Sequence, residues 1–251
     1  MATTSNEHQD RLMPQGAAQP YAPYSQQNSA HGCDQVAMCQ QRGFFITLEG
    51  VEGAGKSTMM AEIERYYRKQ GIPVVCTREP GGTPIAEQIR SILLTPNSEE
   101  NITAMSELLL MYAARVQHIE HKIKPLLQAG TMVICDRFDL STIAYQGAGR
   151  GFDLELLERL RKLALGDFAP DLTLLFDLPV EQGMERVIAR GKKDRFEQES
   201  VEFFEKIRQG FLSYAEKHPQ EVVRIDSSKE LDKVRAEVLQ ILATRLPLEL
   251  S

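Results

Sequence analysis

The residues best equipped for chemistry are Gly50-Val51-Glu52-Gly53-Ala54-Gly55-Lys56-Ser57, which fit the pattern G-x-x-x-x-G-K-[ST]. The apolar run Phe44–Leu48 precedes them and a helical pattern from Thr58 to Gln70 follows, the strand and helix that give the motif its meaning. The glycines let the backbone curl until successive N–H groups point at phosphate oxygens. The following helix adds unpaired N–H groups and the positive end of its dipole. Lys56 can reach the outer phosphates, and the Ser57 hydroxyl can ligand Mg²⁺. Gly50 to Thr58 therefore read as a cradle for a nucleoside triphosphate; the bland alternative is a chance glycine turn.

Other reactive side chains follow apolar runs. Arg78 stands in Thr77-Arg78-Glu79-Pro80-Gly81-Gly82-Thr83, where a proline and two glycines mark a sharp turn. It can fork onto a phosphate or carboxylate, or simply form a surface ion pair. Met132-Val133-Ile134-Cys135 runs straight into Asp136-Arg137-Phe138. A carboxylate ending a buried strand beside a phosphate loop suits Mg²⁺, directly or through water, with a structural Asp–Arg pair as the alternative. Arg137 then faces the acceptor side. Asp139, Ser141, Thr142, Tyr145 and Gln146 lead into Gly147-Ala148-Gly149-Arg150-Gly151, an expected amphipathic helix and mobile glycine stretch able to cover a small-molecule base.

Two further stretches are ambiguous. The helical pattern 105–128 carries Tyr112, Arg115 and His118, yet Leu108, Leu109, Met111 and Tyr112 also make a core stripe. His118 and His121 alone do not make a metal site. Arg186, Arg190, Lys192, Lys193 and Arg195 cluster around Gly191. A charge run is commonly a solvated face. Beside a triphosphate, a hinged basic lid over residues 186–200 can also stabilise the moving phosphoryl group, an effect of about 10³–10⁵-fold. Glu197 and Glu199 are placed to anchor such a lid or to orient Mg²⁺-bound water.

The elements that must position these groups alternate. Strand-like runs fall at Phe44–Leu48, Pro73–Thr77, Thr131–Asp136, Leu172–Asp177 and Val222–Ile225, with helical periodicity between and after them. Short apolar strands without in–out alternation belong to a parallel sheet covered on both faces. The expected fold is α/β, a single doubly wound parallel five-stranded sheet with helices on both faces. Ligands in such a fold bind outside the carboxyl ends of the strands.

Composition sets the outer limits. The 251 residues are 42% hydrophobic with a net charge of -6, which argues against a nucleic-acid-binding surface. No apolar run approaches the roughly 18 residues a membrane span needs. Cys33, Cys39, Cys76 and Cys135 form no C-x-x-C pair, and the last two fall in expected strands, which fits a reducing, cytoplasmic compartment. Residues 1–41 contain no Phe, Trp or Ile and a single Leu, so they are expected to be a disordered extension rather than a signal or transit peptide. The remainder, 42 to 251, is expected to form one domain around the phosphate loop.

Together, Gly50–Ser57, Thr77–Thr83, Asp136–Gly151 and Arg186–Ser200 resemble the motifs of the thymidylate (dTMP) kinases, in that family's order, over residues 43–245. The resemblance implies the P-loop nucleoside monophosphate kinase fold and transfer of phosphate from ATP, with Mg²⁺, to dTMP. It implies that Gly50, Val51, Glu52, Gly53, Ala54, Gly55, Lys56, Ser57 and Thr58 hold ATP, with Ser57 and Asp136 on the metal. Glu52 would also bind the 3′-hydroxyl of dTMP, Arg78 and Arg137 its phosphate, Arg115 the thymine O4, and Thr142 and Gln146 the base edge. Tyr145 would crowd the 2′ position. The basic lid resembles the bacterial type, in which Arg190 joins Lys56 and Arg137 as a catalytic residue. The family places Phe four residues before the base-reading arginine; this chain has Met111 there. The resemblance also implies a homodimer. The competing readings are a P-loop kinase for another nucleotide or a deoxynucleoside, a P-loop ATPase switch, and a nucleotide sensor.

Overall fold

A computed structural model describes residues 42–97, 99–191 and 194–246, without the side chain of Arg190. The expected extension 1–41, Lys192 and Lys193 therefore lie outside the described residues. The elements follow in the order β1 (Phe45–Glu49), α1 (Lys56–Arg68), β2 (Val74–Arg78), α2 (Pro84–Leu94), α3 (Ala104–His118), α4 (Lys124–Gln128) and β3 (Met132–Asp136). After these come α5 (Asp139–Thr142), α6 (Leu154–Leu165), β4 (Leu172–Asp177), α7 (Val180–Arg190), α8 (Val201–Lys217), β5 (Val222–Asp226) and α9 (Leu231–Arg245). The five strands form one sheet in the order β2-β3-β1-β4-β5, parallel throughout. Among the described residues no helix is long and apolar enough to cross a membrane.

Alternate residues of the two central strands β1 and β3 feed two cores, which is why these strands read as continuous apolar runs. Phe45, Val133 and Cys135 point to one face and pack with Leu108, Tyr112 and Leu157. Ile46, Leu48 and Ile134 point to the other, with Met59, Ile63 and Phe211. Burying each large apolar side chain contributes about 1.5–3 kcal/mol. Strand register then sets the chemistry: Asp136 lies beside Leu48 of β1 and beside Arg78 of β2. The end of the first strand, the second and the third thus open on one crevice.

Two segments differ from the sequence expectation. The helix expected over 105–128 is interrupted by a π-helical turn at Ile119–Ile123, where the Lys124 N–H reaches Ile119 O. Pro125 explains the widening, because its ring has no N–H to give and would strike a carbonyl one turn back. The glycine stretch after Gln146 is packed at Gly147 and Gly149, while Gly151 stays exposed. It completes a π-helical segment, Ile143–Gly149, laid against α8. A Cβ on Gly149 would come 2.7 Å from the Phe203 ring, so the absent side chain is what admits the neighbouring helix.

Candidate active site

The phosphate loop joins β1 to α1 at the centre of the sheet. Gly50 takes a φ of 132°, and a Cβ there would lie 2.2 Å from the carbonyl oxygen of Phe176. Only glycine fits that turn. Lys56 is buried and folds back onto the loop, its Nζ donating to Gly50 O at 3.0 Å and Val51 O at 2.9 Å. Burial, reinforced by the nearby Arg137 guanidinium, pulls its pKa down to about 8. An incoming triphosphate would offer the ammonium a better partner than two carbonyls.

Asp136 ends β3 opposite the loop. Its Oδ2 accepts a long hydrogen bond from Ser57 Oγ at 3.5 Å, while Oδ1 is buried and has no hydrogen-bond partner. A buried carboxylate oxygen left over beside a hydroxyl is a costly arrangement without a cation. One carboxylate and one hydroxyl suit Mg²⁺, which takes the rest of its shell from phosphates and water. The donor set therefore fits the metal that the sequence points to.

Arg137 adopts a φ of 69°, an uncommon conformation for a residue with a side chain, and so turns its guanidinium back toward the loop. It donates to Gly50 O at 3.0 Å, Ser141 Oγ at 3.2 Å and Glu52 Oε1 at 2.8 Å, and lies 4.9 Å from the Tyr145 ring centre. Glu52 Oε1 also accepts the Tyr145 hydroxyl at 2.5 Å. Its second oxygen, Oε2, is buried without a partner. Sequence reasoning passed over the residue that holds this turn. Glu49, fully buried, accepts the Phe138 N–H at 2.7 Å and the Ser141 hydroxyl at 2.5 Å, and burial pushes its pKa up. An acid closing an apolar strand was the available signal.

The cleft beyond Glu52 is lined by Arg78, Arg90, Met111, Arg115, Thr142, Gln146 and Phe196, among others. Arg78 lies at the exposed rim, 3.0 Å from Glu87 Oε2, so the surface ion pair weighed for it exists and still faces the cleft. Arg90 of α2, also missed in the sequence, donates to Pro80 O at 2.8 Å. Burial lowers its pKa, and the positive charges of Arg78 and Arg137 lower it further. Glu87 and Asp194 offset part of this effect, and three arginines converging on one cleft suit an anionic ligand.

Met111 lines this cleft, whereas its neighbour Tyr112 is buried on the other side and donates its hydroxyl to Asp139 at 3.2 Å. Arg115 is buried. Its Nε donates to Glu79 at 2.7 Å, Nη1 to Asp139 at 3.1 Å and Thr142 at 3.0 Å, and Nη2 to Phe138 O at 3.0 Å. Guanidinium carries five N–H groups, so these four bonds leave one, on Nη2. Glu79 is itself oriented by His118, whose Nδ1 lies 3.0 Å away and whose other nitrogen meets Thr77 Oγ1 at 2.8 Å. His118 is therefore a buried support rather than a metal ligand.

Of the basic cluster, Arg186 donates to Gly53 O of the phosphate loop at 3.0 Å. Arg195 turns inward to Glu107 at 2.6 Å, and Glu199 pairs with Arg150 at 2.7 Å. Glu197 accepts the Asp194 N–H at 3.1 Å. Glu199 thus ties the segment to Arg150 outside it, while the Glu197 bond to Asp194 lies within the segment. Arg190 closes α7, with its side chain outside the described part.

With this geometry in hand, the family model described as thymidylate kinase matches residues 48–238. The thymidylate kinase of Pseudomonas fluorescens (strain Pf0-1) is 54% identical over 211 residues, spanning 83% of this chain and 98% of that one. That of Ectopseudomonas mendocina (strain ymp) is 50% identical over 204 residues, 81% of this chain and 97% of the relative. The crystal structure of thymidylate kinase from Ehrlichia chaffeensis superposes with a TM-score of 0.66 at 34% identity, covering 80% of this chain and 99% of that one.

Proposed function

The chain belongs to the thymidylate kinase family, and from that premise we propose how its residues phosphorylate dTMP to dTDP with ATP. The reaction supplies dTTP for DNA synthesis, and the family's donor and metal are ATP and Mg²⁺. In this reading Gly50–Thr58 cradle the ATP phosphates. Ser57 and Asp136 hold the metal, which when bound neutralises phosphate charge.

Two anionic phosphates repel, so catalysis is largely alignment and charge stabilisation. The arginine group at the cleft, Arg78 with Arg137 and Arg90, takes the acceptor phosphate and aims its oxygen at the γ-phosphorus. Lys56 and Arg190 follow the charge as it moves to the departing ADP. On the base side, Arg115 offers its remaining N–H to the thymine O4. Thr142 and Gln146 complete the edge, and Met111 packs its thioether on the ring.

The observation that carries this reading is Glu52. Arg137 and Tyr145 hold one of its oxygens and leave the other buried and unpaired, where a sugar 3′-hydroxyl would satisfy it. Tyr145, on the same carboxylate, fills the space a 2′-hydroxyl would need. Offering ATP·Mg²⁺ with a panel of nucleoside monophosphates tests the assignment. Diphosphate should form from dTMP and not from ribonucleotides, with ADP release matching it.

Residues 42–251 act, in this reading, as one kinase domain with a lid at about 186–200, working in the cytoplasm as a homodimer. Exposed Ile85 and Ile92 of α2 and Met105, Leu109 and Val116 of α3 support the dimer, since such apolar side chains favour a partner. Light scattering at micromolar concentration should give twice the chain mass.

A further inference from the structure

We propose that Glu107 sets the cleft's preference for a pyrimidine imide by fixing which end of the Gln146 amide faces the base, an inference that rests on reading this cleft as the dTMP site. Glu107 lies in the first turn of α3 and is buried. Its Oε1 accepts from Gln146 Nε2 at 2.9 Å and from Arg150 Nε at 3.3 Å. Its Oε2 accepts from Arg150 Nη2 at 3.2 Å and from Arg195 Nη2 at 2.6 Å.

A carboxylate can only accept hydrogen bonds, so the NH₂ end of Gln146 is committed to Glu107. The carbonyl end is what remains for the cleft that Gln146 lines. Thymine and uracil carry an N–H at N3 and can donate to that carbonyl. Cytosine presents a bare acceptor at N3, and two acceptors facing each other in a buried site repel. The mechanism requires Glu107 to stay ionised. Burial favours its neutral form, but the bonds from Gln146, Arg150 and Arg195 outweigh it and lower the pKa.

The same carboxylate anchors the lid. Arg195 donates its Nε to Leu93 O at 2.7 Å, and the adjoining Phe196 meets the Tyr145 ring edge-on at 5.7 Å. Glu107 thus joins the base-reading amide to the docked segment after α7. It touches no substrate itself; it is a positioning residue.

Glu107→Gln gives a directional test. Two guanidinium N–H groups at the Oε2 position, against one from Arg150 Nε at Oε1, hold the new carbonyl at Oε2, so the new NH₂ faces Gln146. Gln146 must then turn its carbonyl inward and show its NH₂ to the base. The ratio of kcat/KM for dTMP to that for dCMP should fall at least about tenfold, the scale of one mispaired buried hydrogen bond. dUMP, which shares the imide, should decline in step with dTMP. Glu107→Ala, which frees the amide to adopt both orientations without adding bulk, should lower the same ratio and serves if Glu107→Gln does not fold. All acceptors are assayed on one preparation, so a partly unfolded fraction cancels from the ratio. An unchanged ratio in a folded variant overturns the proposal. Wild-type chain that fails to phosphorylate dTMP would instead remove the reading on which it stands.

Discussion

Arg137 reaches back 85 residues along the chain to place its Nη2 2.8 Å from Oε1 of Glu52. The contact joins the turn after β3 to the phosphate loop after β1, two strands that lie side by side in the sheet. It gives a loop built for phosphate a carboxylate directed at a second ligand. In the proposed reading donor and acceptor sites share one piece of backbone, so a shift of the loop on ATP binding would be felt at the sugar of the acceptor.

Lys56 predicts a pH dependence. Its proton is held less tightly in the folded chain, pKa about 8, than at the ordinary 10.5. The protonated form binds a triphosphate, so kcat/KM for ATP should fall as pH rises through about 8, approaching tenfold per unit. Lys56→Arg, which keeps its charge, should abolish that break. Stability has the opposite sign, rising between about 8 and 10.5, where only the unfolded chain is still protonated. A flat ATP profile to pH 9.5 would contradict this assignment.

Arg190 at the end of α7 is assigned to the transition state rather than to binding. Arg190→Ala should lower kcat by about 10³-fold, the low end for an arginine that stabilises phosphoryl transfer, with little change in the KM for dTMP. Steady-state kinetics with both substrates varied separates the two. Unchanged turnover would remove Arg190 from the mechanism.

Gly210, inside α8, predicts a packing penalty. A Cβ there would lie 2.7 Å from the Ala148 Cβ and 3.3 Å from the Ala144 Cα. Replacing a mid-helix glycine by alanine ordinarily gains up to about 1 kcal/mol. Overpacking costs about 1–3 kcal/mol, so Gly210→Ala should be net destabilising and lower the thermal midpoint. A raised midpoint would mean that the helices part freely.

Much of this was legible in the sequence because it is local. The phosphate loop, Asp136-Arg137 and the Pro80-Gly81-Gly82 turn are contiguous, and strand ends fell within about one residue because buried parallel strands are simple apolar runs. Glu107 was not legible, since its partners Gln146, Arg150 and Arg195 lie 39, 43 and 88 residues away. Arg90 likewise acquires its role only when α2 brings it beside Arg78 and Arg137. Gly147 and Gly149 misled for the same reason. Composition marks glycine as flexible, while Phe203 against Gly149 is a tertiary fact.

The central claim is that Glu52 binds the acceptor sugar, and a cycle crossing Glu52→Ala with dTMP and its 3′-deoxy analogue tests it most directly. Wild-type chain should prefer dTMP to the analogue by about tenfold or more in kcat/KM, the value of a hydrogen bond to a charged group. In Glu52→Ala that preference should disappear, while the KM for ATP stays within about twofold, as expected for a loss of acceptor binding alone. If the variant keeps the full preference for the 3′-hydroxyl, Glu52 does not bind it and the loop serves ATP alone.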